Sequence, residues 1–411
     1  MGVLIQKSVD TDVLVIGAGP AGSVAAAILN KKGYDVQIIE KQFFPRFVIG
    51  ESLLPRCMEN LDAAGFIETV EKAGFQKKTG AKFIDGDYSC EFDFSIQHTK
   101  GWKWTWQVKR DKFDKILADE VQRRGVDIYY GSSVTAVDFS DDNKRKVTVS
   151  DPDGEREISC KYVIDASGYG RVLPRLLNLD KPADFPSRAS LFTHISPCNL
   201  LSESAQYQIQ ILNYKQGIWG WVIPFSDGTG SIGVVGDEQK VINGSQDLKA
   251  QMDYWVREIP ALQIASENSS YSFTPKMVKG YSVASAQPYG RGFVIAGNSA
   301  EFIDPIFSSG TTFATESARL AAELVANELE GNPVNWDKDY HQYLQRGTEV
   351  FKTFIKNWYT GDLQQIIFAK NWDESIKNQI CSILAGYVWD ETNAVVRKHE
   401  KIISSLSYIL K

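Results

Sequence analysis

The sequence predicts an α/β protein in which a Rossmann-like lobe is interleaved with a second, β-sheet lobe and followed by a helical C-terminal region. The first observation is an aliphatic run at residues 13–16 that ends in a glycine-rich turn and continues at helical spacing. The second is that buried-strand patterns end again at small residues much later, at 165–168 and 297–300. The third is mostly helical periodicity across residues 336–411.

The glycine-rich turn fits the pattern G-x-G-x-x-G between a strand and a helix. Gly17 permits the tight turn, Gly19 lets the backbone approach a pyrophosphate, and Gly22 lets the helix pack closely on the strand. The N-terminus of that helix then faces the phosphates. The next strand ends at Glu40, about 20 residues further on, where a carboxylate binds a ribose hydroxyl. These features predict a dinucleotide-binding site.

Composition and charge exclude several classes of protein. A net charge of −6 and a pI of about 5.5 argue against a surface for nucleic acid or anionic membrane. Five scattered cysteines without a C-x-x-C pair predict reduced thiols, and four dispersed histidines predict no metal site. No apolar run has membrane length and the N-terminus has no signal-peptide pattern. We expect a cytoplasmic protein without stable membrane insertion.

The lobes are expected to alternate along the chain, because no linker rich in proline or serine separates them. Residues 76–106 contain alternating aromatic residues, and residues 181–284 contain several strand-like segments. Together they predict one sheet that holds the substrate. The predicted division is a nucleotide-binding domain of residues 1–75, 107–180 and 285–335, a substrate-domain sheet of residues 76–106 and 181–284, and a helical C-terminal region of residues 336–411.

The order of these segments resembles the FAD-binding fold of the hydroxybenzoate-hydroxylase superfamily. The resemblance covers most of the chain and implies FAD as the cofactor. In that superfamily the third segment usually contains Gly-Asp, whose aspartate holds the ribitol chain of FAD. Here the sequence has Gly297-Asn298. Asparagine can accept a hydrogen bond but carries no charge, so an altered affinity for FAD is expected.

Several shorter motifs resemble the flavin-dependent halogenases and their close relatives. They are F-P-R-F-V-I-G-E-S-L-L-P at residues 44–55, G-F-Q-K-K-T-G-A-K-F at 74–83, W-G-W-V-I-P at 219–224, F-I-D-P-I-F-S-S-G at 302–310 and L-A-G-Y-V-W-D at 384–390. The last resembles the C-terminal region of members that act on phenols or carrier-bound aryl groups. Phe307 stands where tryptophan-specific members have a glutamate, which favours a phenol, a pyrrole or a carrier-tethered aryl group as substrate.

The resemblance implies a reaction in which reduced FAD and O₂ form a flavin hydroperoxide, which a halide converts to hypohalous acid. Lys78 matches the motif lysine that holds this electrophile; an amine suits the role because it can donate a proton or be halogenated. Without the resemblance, Lys78 and its neighbour Lys77 would be interpreted as solvated surface charges. Trp219 and Trp221 are two positions apart, so on a strand their side chains share one face. The resemblance makes them a wall between flavin and substrate, and ordinary core packing is the alternative.

The resemblance also assigns contacts to the cofactor and the halide. The halide is expected at Ser309 and Gly310, at the start of a helix whose N–H groups favour an anion; serine capping is the alternative. The resemblance places Glu51 and Ser52 in a loop near the flavin and makes Arg46 and Arg110 candidate cofactor contacts. For each of these, an ordinary loop or surface salt-bridge role is the alternative. The predicted FAD contacts are Gly17, Gly19, Pro20, Ala21, Gly22, Glu40, Lys41, Arg46, Ser52, Arg110, Asp165, Gly168, Gly297, Asn298, Pro305, Ser309, Gly310 and Thr311.

Three functions are compatible with the sequence. The first is a halogenase that receives reduced FAD from a separate flavin reductase and acts on a small aromatic substrate, free or bound to a carrier protein. The second is a monooxygenase or alkene reductase on the same scaffold, in which Lys78 and the tryptophan pair are idle. The third is a non-catalytic flavoprotein that binds a partner through its helical C-terminal region. The intact glycine turn and Glu40 count against the third function.

Overall fold

The computed structural model describes residues 9–141, 144–182, 185–215, 217–242, 244–370 and 373–410. Residues 1–8, on which the expected lack of a signal peptide depends and which begin the first predicted domain, lie outside the described residues.

The described chain alternates between helices and strands through most of its length. The strands are β1 (Val9–Ile16), β2 (Val36–Glu40), β3 (Gln76–Lys78), β4 (Gly80–Asp85), β5 (Tyr88–Asp93), β6 (Thr105–Gln107), β7 (Asp127–Tyr130), β8 (Ser133–Asp138), β9 (Arg145–Asp151), β10 (Gly154–Asp165), β11 (Asp180–Lys181), β12 (Arg188–Ser196), β13 (Gln208–Lys215), β14 (Ile218–Pro224), β15 (Gly230–Asp237), β16 (Ser270–Tyr271), β17 (Lys276–Lys279), β18 (Val283–Ser285), β19 (Tyr289–Gly290), β20 (Phe293–Ile295) and β21 (Glu301–Phe302). The helices are α1 (Pro20–Lys31), α2 (Pro55–Ala63), α3 (Ile67–Lys72), α4 (Arg110–Arg123), α5 (Val172–Leu176), α6 (Glu238–Ile242), α7 (Leu248–Glu258), α8 (Pro260–Ala265), α9 (Ser309–Leu329), α10 (Tyr343–Thr360), α11 (Asp362–Ile367), α12 (Glu374–Leu384), α13 (Ala394–Arg397) and α14 (His399–Ile409).

The first sheet contains the strand that leads into the glycine-rich turn. Its main path is β19-β20-β10-β1-β2-β7, and β9 and β8 continue from β10. The strands β20, β10, β1, β2 and β7 run parallel. The side chains of β2 are all buried, as expected for a parallel sheet covered on both faces, and α1 packs against α9. The carboxyl ends of β1, β10 and β20 therefore meet at one edge, where the three small-residue turns lie side by side.

The second sheet has the path β16-β12-β15-β14-β13-β4-β5, and β17 also pairs with β12. Its neighbouring strands are antiparallel except where β4 runs parallel to β13. Trp219 and Trp221 lie on β14, near the centre of this sheet.

The aromatic alternation that predicts a strand through residues 102–106 is only partly realised. The strand β6 begins at Thr105 and pairs with β3 in a separate two-stranded sheet. Trp102 lies before it, and its carbonyl oxygen accepts a hydrogen bond from the side chain of Gln97 instead of a strand partner. Lys77 and Lys78 lie on β3, so their side chains point to opposite faces.

An apolar cluster connects the second sheet to the C-terminal helices. The rings of Phe83 on β4 and Trp358 on α10 have centres 5.7 Å apart. The ring of Phe307 lies 6.3 Å from those of both Phe351 and Trp358. The C-terminal helices therefore cover one face of the second sheet.

Within the described ranges, every helix is too short or too polar to span a bilayer. In the same part of the chain, no cluster of three His, Cys, Asp or Glu side chains could hold a metal ion.

Candidate functional site

A cavity of about 1140 Å³ lies between the carboxyl edge of the first sheet and the second sheet. The predicted site residues that line it are Gly17, Gly19, Pro20, Ala21, Glu40, Lys41, Arg46, Ser52, Arg110, Gly168, Trp219, Trp221, Asn298, Pro305, Gly310 and Thr311. Five predicted residues do not line it: Gly22, Lys78, Asp165, Gly297 and Ser309. The chain thus brings most of the predicted set to one cavity, and the exceptions have specific structural causes.

The three glycines of the turn have different surroundings. Gly17 has a φ of +99°, and a Cβ added there would lie 2.6 Å from the carbonyl oxygen of Ala166. A Cβ added to Gly22 would lie 1.8 Å from the carbonyl oxygen of Gly17. Both glycines are thus required because other backbone segments of the chain pack directly against them. A Cβ added to Gly19 would meet only a side-chain nitrogen of Arg46, at 3.2 Å, so this glycine leaves space on the cavity side.

Glu40 is held rigidly beside this turn. Its Oε2 accepts a hydrogen bond from the backbone N–H of Ala18 at 2.8 Å, and its Oε1 accepts one from that of Gln42 at 2.8 Å. Arg46 lies 3.8 Å from Glu40 and 3.3 Å from Asp114. The carboxylate that the sequence assigns to a ribose hydroxyl is therefore fixed at the cavity wall, with a cation next to it.

Asp165 uses both of its carboxylate oxygens within the protein. Oδ2 accepts from the N–H of Leu173 at 2.7 Å, and Oδ1 accepts from the N–H of Ser167 at 2.9 Å and from the hydroxyl of Ser299 at 3.1 Å. Complete burial raises the pKa of Asp165. These bonds join the turn after β10 to the turn after β20, so Asp165 shapes the loops that carry Gly168 and Asn298 to the cavity.

Arg110 anchors the loop that precedes α2. Its Nη1 donates to the carbonyl oxygens of Ile49 and Gly50 at 3.2 Å, and its Nε donates to Asp114 at 2.7 Å. Gly50 has a φ of +115°, a conformation that glycine adopts readily. Arg110 therefore fixes the position of the neighbouring Glu51 and Ser52 on the cavity wall.

Lys78 is a fully buried amine. It is 1% exposed, and its Nζ donates to the hydroxyl of Ser52 and to the carbonyl oxygen of Leu53, both at 2.8 Å. The ring centre of Phe94 lies 5.5 Å from this nitrogen. Burial without a carboxylate partner lowers the pKa of Lys78 to about 7. The interpretation of Lys78 as a solvated surface charge is wrong.

Lys77 is the residue to which the surface interpretation applies. It is exposed, and its ammonium lies 4.6 Å from the ring centre of Trp104. Neighbouring lysines on one strand thus have opposite environments, because successive side chains of a strand point to opposite faces.

Trp219 and Trp221 are buried on the cavity wall, with ring centres 5.9 Å apart. The indole N–H of Trp221 donates to the hydroxyl of Ser231 at 3.0 Å. That of Trp219 donates to the hydroxyl of Tyr359 at 3.0 Å, and this hydroxyl donates to Asp304 at 2.8 Å. Burial raises the pKa of Asp304. Trp219 is thus linked to α10 and, through Tyr359, to the segment at residues 302–310.

The N-terminus of α9 reaches the cavity through Gly310 and Thr311. Ser308 precedes the helix with a φ of +56° and provides no side-chain cap. Ser309 is 1% exposed and does not line the cavity. Of the two residues predicted for the halide, the structure therefore brings Gly310, with its backbone, to the cavity.

The part of the chain at residues 10–335 matches the family model described as FAD binding domain. A 1H-pyrrole-2-carbonyl-[peptidyl-carrier protein] chlorinase of Pseudomonas fluorescens is 31% identical, with 97% of this chain and 94% of the relative covered. The chain belongs to the flavin-dependent halogenase family. A flavin-dependent halogenase of Armillaria mellea is 32% identical, with 80% of this chain and 69% of the relative covered.

Solved structures also resemble this halogenase-family member. A flavoprotein/dehydrogenase from Cytophaga hutchinsonii has a TM-score of 0.94 at 46% identity and covers 98% of both chains. A flavin-dependent brominase has a TM-score of 0.83 at 26% identity, with 96% of this chain and 99% of that chain covered. The family, the α/β fold and FAD as cofactor are thereby confirmed, and this family member is an FAD-dependent oxidoreductase.

The residues around the cavity fit FAD. Gly19 leaves space for a pyrophosphate, and α1 begins next to it without a side-chain cap, so its first N–H groups are available to phosphate oxygens. The Nε of Arg46 and the Oε2 of Glu51 are buried without a hydrogen-bond partner in the described chain, and both residues line the cavity. A ligand that both accepts and donates hydrogen bonds, as FAD does, would pair these atoms.

Sequence reasoning missed several residues that organise the site. The resemblance places Glu51 in a loop near the flavin but gives it no specific contact. Asp304 lies within the motif at residues 302–310 and is given none either. Tyr359 and His194 belong to no motif. A polar residue inside an otherwise apolar strand, such as His194 in Leu-Phe-Thr-His-Ile, is the available signal, because a buried polar group needs a partner.

Proposed function

We propose that this family member is a flavin-dependent halogenase acting on a pyrrolic, phenolic or carrier-tethered aryl substrate. Lys78 carries the proposal: its amine is buried, has no carboxylate partner among the described residues, and donates to Ser52, which lines the cavity. Its pKa of about 7 leaves a substantial neutral fraction near pH 7. Two relatives are described as a chlorinase and a brominase of 1H-pyrrole-2-carbonyl-[peptidyl-carrier protein], which supports the substrate class.

Bound reduced FAD, with O₂ and a halide, would supply hypohalous acid. Gly19 and the N-terminus of α1 would hold the pyrophosphate, and Glu40 would bind the adenosine ribose. Trp219 and Trp221 would separate the cofactor from the substrate. The neutral amine of Lys78 would take the halogen from hypohalous acid and release water. An electron-rich ring carbon would then take the halogen, and the ring proton would restore the amine.

The proposal includes two features of the cell. A separate flavin reductase would supply reduced FAD, since the proposed halogenation starts from the reduced cofactor. The five cysteines are all unpaired and four are buried, which suits a reducing compartment such as the cytoplasm.

The test supplies the purified protein with FAD, a flavin reductase, NADH, O₂ and bromide or chloride. Acceptors are a panel of phenols and a carrier protein loaded with a pyrrole-2-carbonyl group, and products are measured by mass spectrometry. We expect a halogen mass shift that falls about 100-fold in Lys78→Met, consistent with the loss of a positioned amine. Lys77→Met is the matched control and should retain the product. Halogenation by Lys78→Met at the wild-type rate would contradict the proposal.

A halide-independent reductase or monooxygenase is the second candidate. The favouring observation is that Lys78 does not line the cavity, since Ser52 stands between the two. The flavoprotein/dehydrogenase of Cytophaga hutchinsonii, at 46% identity, is described without reference to halogen. If this candidate is right, the same assay gives a product with an added oxygen or two added hydrogens, independent of halide and of Lys78.

A further inference from the structure

A buried carboxylate–imidazole pair lies at the cavity wall beside Ser52. His194 Nε2 and Glu51 Oε1 are 2.5 Å apart. Glu51 is 1% exposed and His194 is 9% exposed. Glu51 belongs to the loop before α2 and His194 to β12 of the second sheet, so the pair bridges the two sides of the cavity. In the function proposed above, His194 has no role and Glu51 enters only as a cofactor contact.

The pair has one open polar position. Glu51 Oε2 is buried and has no hydrogen-bond partner in the described part of the chain, and Glu51 lines the cavity. On the other side, three phenylalanine rings surround His194, with ring centres at 5.7 Å for Phe47, 5.2 Å for Phe225 and 5.0 Å for Phe273. The unpaired oxygen of Glu51 is therefore where this pair meets a ligand.

The charged groups that face the pair are cations. Arg110 donates to the carbonyl oxygen of Gly50 and is itself paired with Asp114. Lys276 lies over the rings of Phe47 and Phe273, at 4.5 and 5.3 Å from their centres. Lys78 lies on the far side of Ser52. Guanidinium groups hold their protons near neutral pH, whereas imidazole gains and loses a proton there. Lys78, with a pKa of about 7, does so as well, but Ser52 lies between its amine and the pair.

Halogenation consumes protons at this cavity. One reduced flavin anion, one O₂, one halide ion and two protons give oxidised flavin, one hypohalous acid and one water. None of the four histidines, all of which lie in the described part of the chain, lines the cavity itself, but His194 is hydrogen-bonded to Glu51, which does. His194, through Glu51, is thus the histidine with a connection to the place where these protons are used.

We propose that Glu51 and His194 form the proton-supplying pair of this site, an inference that rests on the halogenase function proposed above. Glu51 delivers a proton from Oε2 to an oxygen atom derived from O₂, as that oxygen leaves in water or hypohalous acid. His194 transfers its Nε2 proton to the carboxylate and is reprotonated from solvent. Two such transfers balance one turnover.

The first test examines the protein without cofactor. In protein labelled with ¹⁵N-histidine, the Nε2–H proton of His194 should resonate far downfield, because it donates to a buried carboxylate. Glu51→Gln should move this resonance upfield, since a neutral amide is the weaker acceptor. His98→Gln, a change at an exposed histidine, is the matched control and should leave the resonance in place. An unchanged resonance in Glu51→Gln would overturn the pairing.

The second test measures turnover and its rescue. We expect His194→Ala and Glu51→Gln each to lower the halogenation rate about 100-fold, the usual range for a general acid. The FAD affinity of His194→Ala should stay within about threefold, because His194 does not line the cavity. Added imidazole should restore the His194→Ala rate about tenfold and leave Lys78→Met unchanged. Wild-type rates in both variants, or a loss that imidazole does not restore in a folded His194→Ala, would overturn the inference.

Glu51→Gln also serves if His194→Ala fails to fold, because it preserves the packing around the aromatic rings. Its rate loss should shrink toward low pH, where solvent acid replaces the missing proton donor; a pH-independent loss would overturn the inference. If the wild-type protein forms no halogenated product, the halogenase proposal fails separately. The proton-supplying role of the pair is then tested by the rate at which the reduced FAD complex reacts with O₂. A lower rate in His194→Ala that imidazole restores would support this role, and an unchanged rate would overturn it.

Discussion

At the nucleotide end of the cavity, backbone conformation determines the geometry. Gly17 has a φ of +99°, and Gly22 packs where an added Cβ would lie 1.8 Å from a carbonyl oxygen. At the Lys78 end, distant side chains determine it: Ser52 accepts from Lys78, and Tyr359 accepts from Trp219, 140 positions earlier. Cofactor binding can therefore be lost through one local change, whereas the chemistry at Lys78 depends on how remote segments meet.

The largest expected effect separates two glycines of one turn. Gly22→Ala should lower the free energy of unfolding by about 3 kcal/mol or more, because its Cβ collides with backbone that cannot move away. Gly19→Ala should fold with a near-normal Tm but bind FAD about tenfold more weakly, because its Cβ occupies the space left for the pyrophosphate. Thermal unfolding and FAD titration check both. Equal stability of the two variants would contradict the different roles assigned to Gly22 and Gly19.

The next effect concerns the buried amine. Folded Lys78 loses its proton near pH 7 and unfolded lysine near pH 10.4, so the unfolded state holds more protons between these values. Stability from this group therefore rises with pH across that window. The stability of Lys78→Met relative to wild type should therefore be about 4 kcal/mol more favourable at pH 6 than at pH 10. Urea unfolding at several pH values measures it, with Lys77→Met as control; a pH-independent difference would refute the buried-amine explanation.

A smaller effect is expected where α10 reaches the tryptophan pair. Tyr359→Phe removes the acceptor of the Trp219 N–H and a donor to Asp304, leaving two buried polar groups with one fewer partner. A loss of about 1–3 kcal/mol follows. More O₂ should also be released as hydrogen peroxide, because the wall loses its fixed orientation. Denaturation and a peroxide assay measure the two effects, and unchanged values in both would show that the link is dispensable.

The smallest effect concerns the departure from the superfamily's Gly-Asp. Asn298 lines the cavity, and Asn298→Asp should strengthen FAD binding a few-fold, because a carboxylate accepts a stronger hydrogen bond from a ribitol hydroxyl than an amide does. Fluorescence quenching of FAD measures this change. Weaker binding would indicate that Asn298 donates, and does not accept, in the complex.

The sequence allowed the nucleotide end to be predicted well because its determinants are consecutive. A strand, a glycine turn and a helix follow one another, so the position of Gly19 at the cavity could be inferred from spacing alone. Lys78 was identified by its motif, but its environment was not: periodicity could not separate it from Lys77 until β3 was paired with β6.

Other residues could not be predicted because their roles arise from contacts between segments far apart in sequence. His194 meets Glu51 across 143 positions, and nothing in its own neighbourhood indicates that partner. The opposite error occurred for Trp102: alternation predicts a strand there, but its carbonyl oxygen accepts hydrogen bonds from the side chains of Gln97 and Tyr387. Asp165 illustrates a third case: its position at a strand end was expected, and its bonds to neighbouring N–H groups place it behind the cavity wall.

The strand order of the first sheet also has a consequence for biosynthesis. β10 pairs with β1 on one side and with β20 on the other, so the sheet closes only when residues 293–295 arrive. Closing contacts over such sequence distances is slow. While residues 166–292 are being translated, β9 covers residues 154–160 of β10, and residues 163–165 remain as an unpaired parallel edge. Such an edge promotes association between nascent chains. The ribosome-bound chain is therefore expected to be an early client of chaperones that shield open sheets.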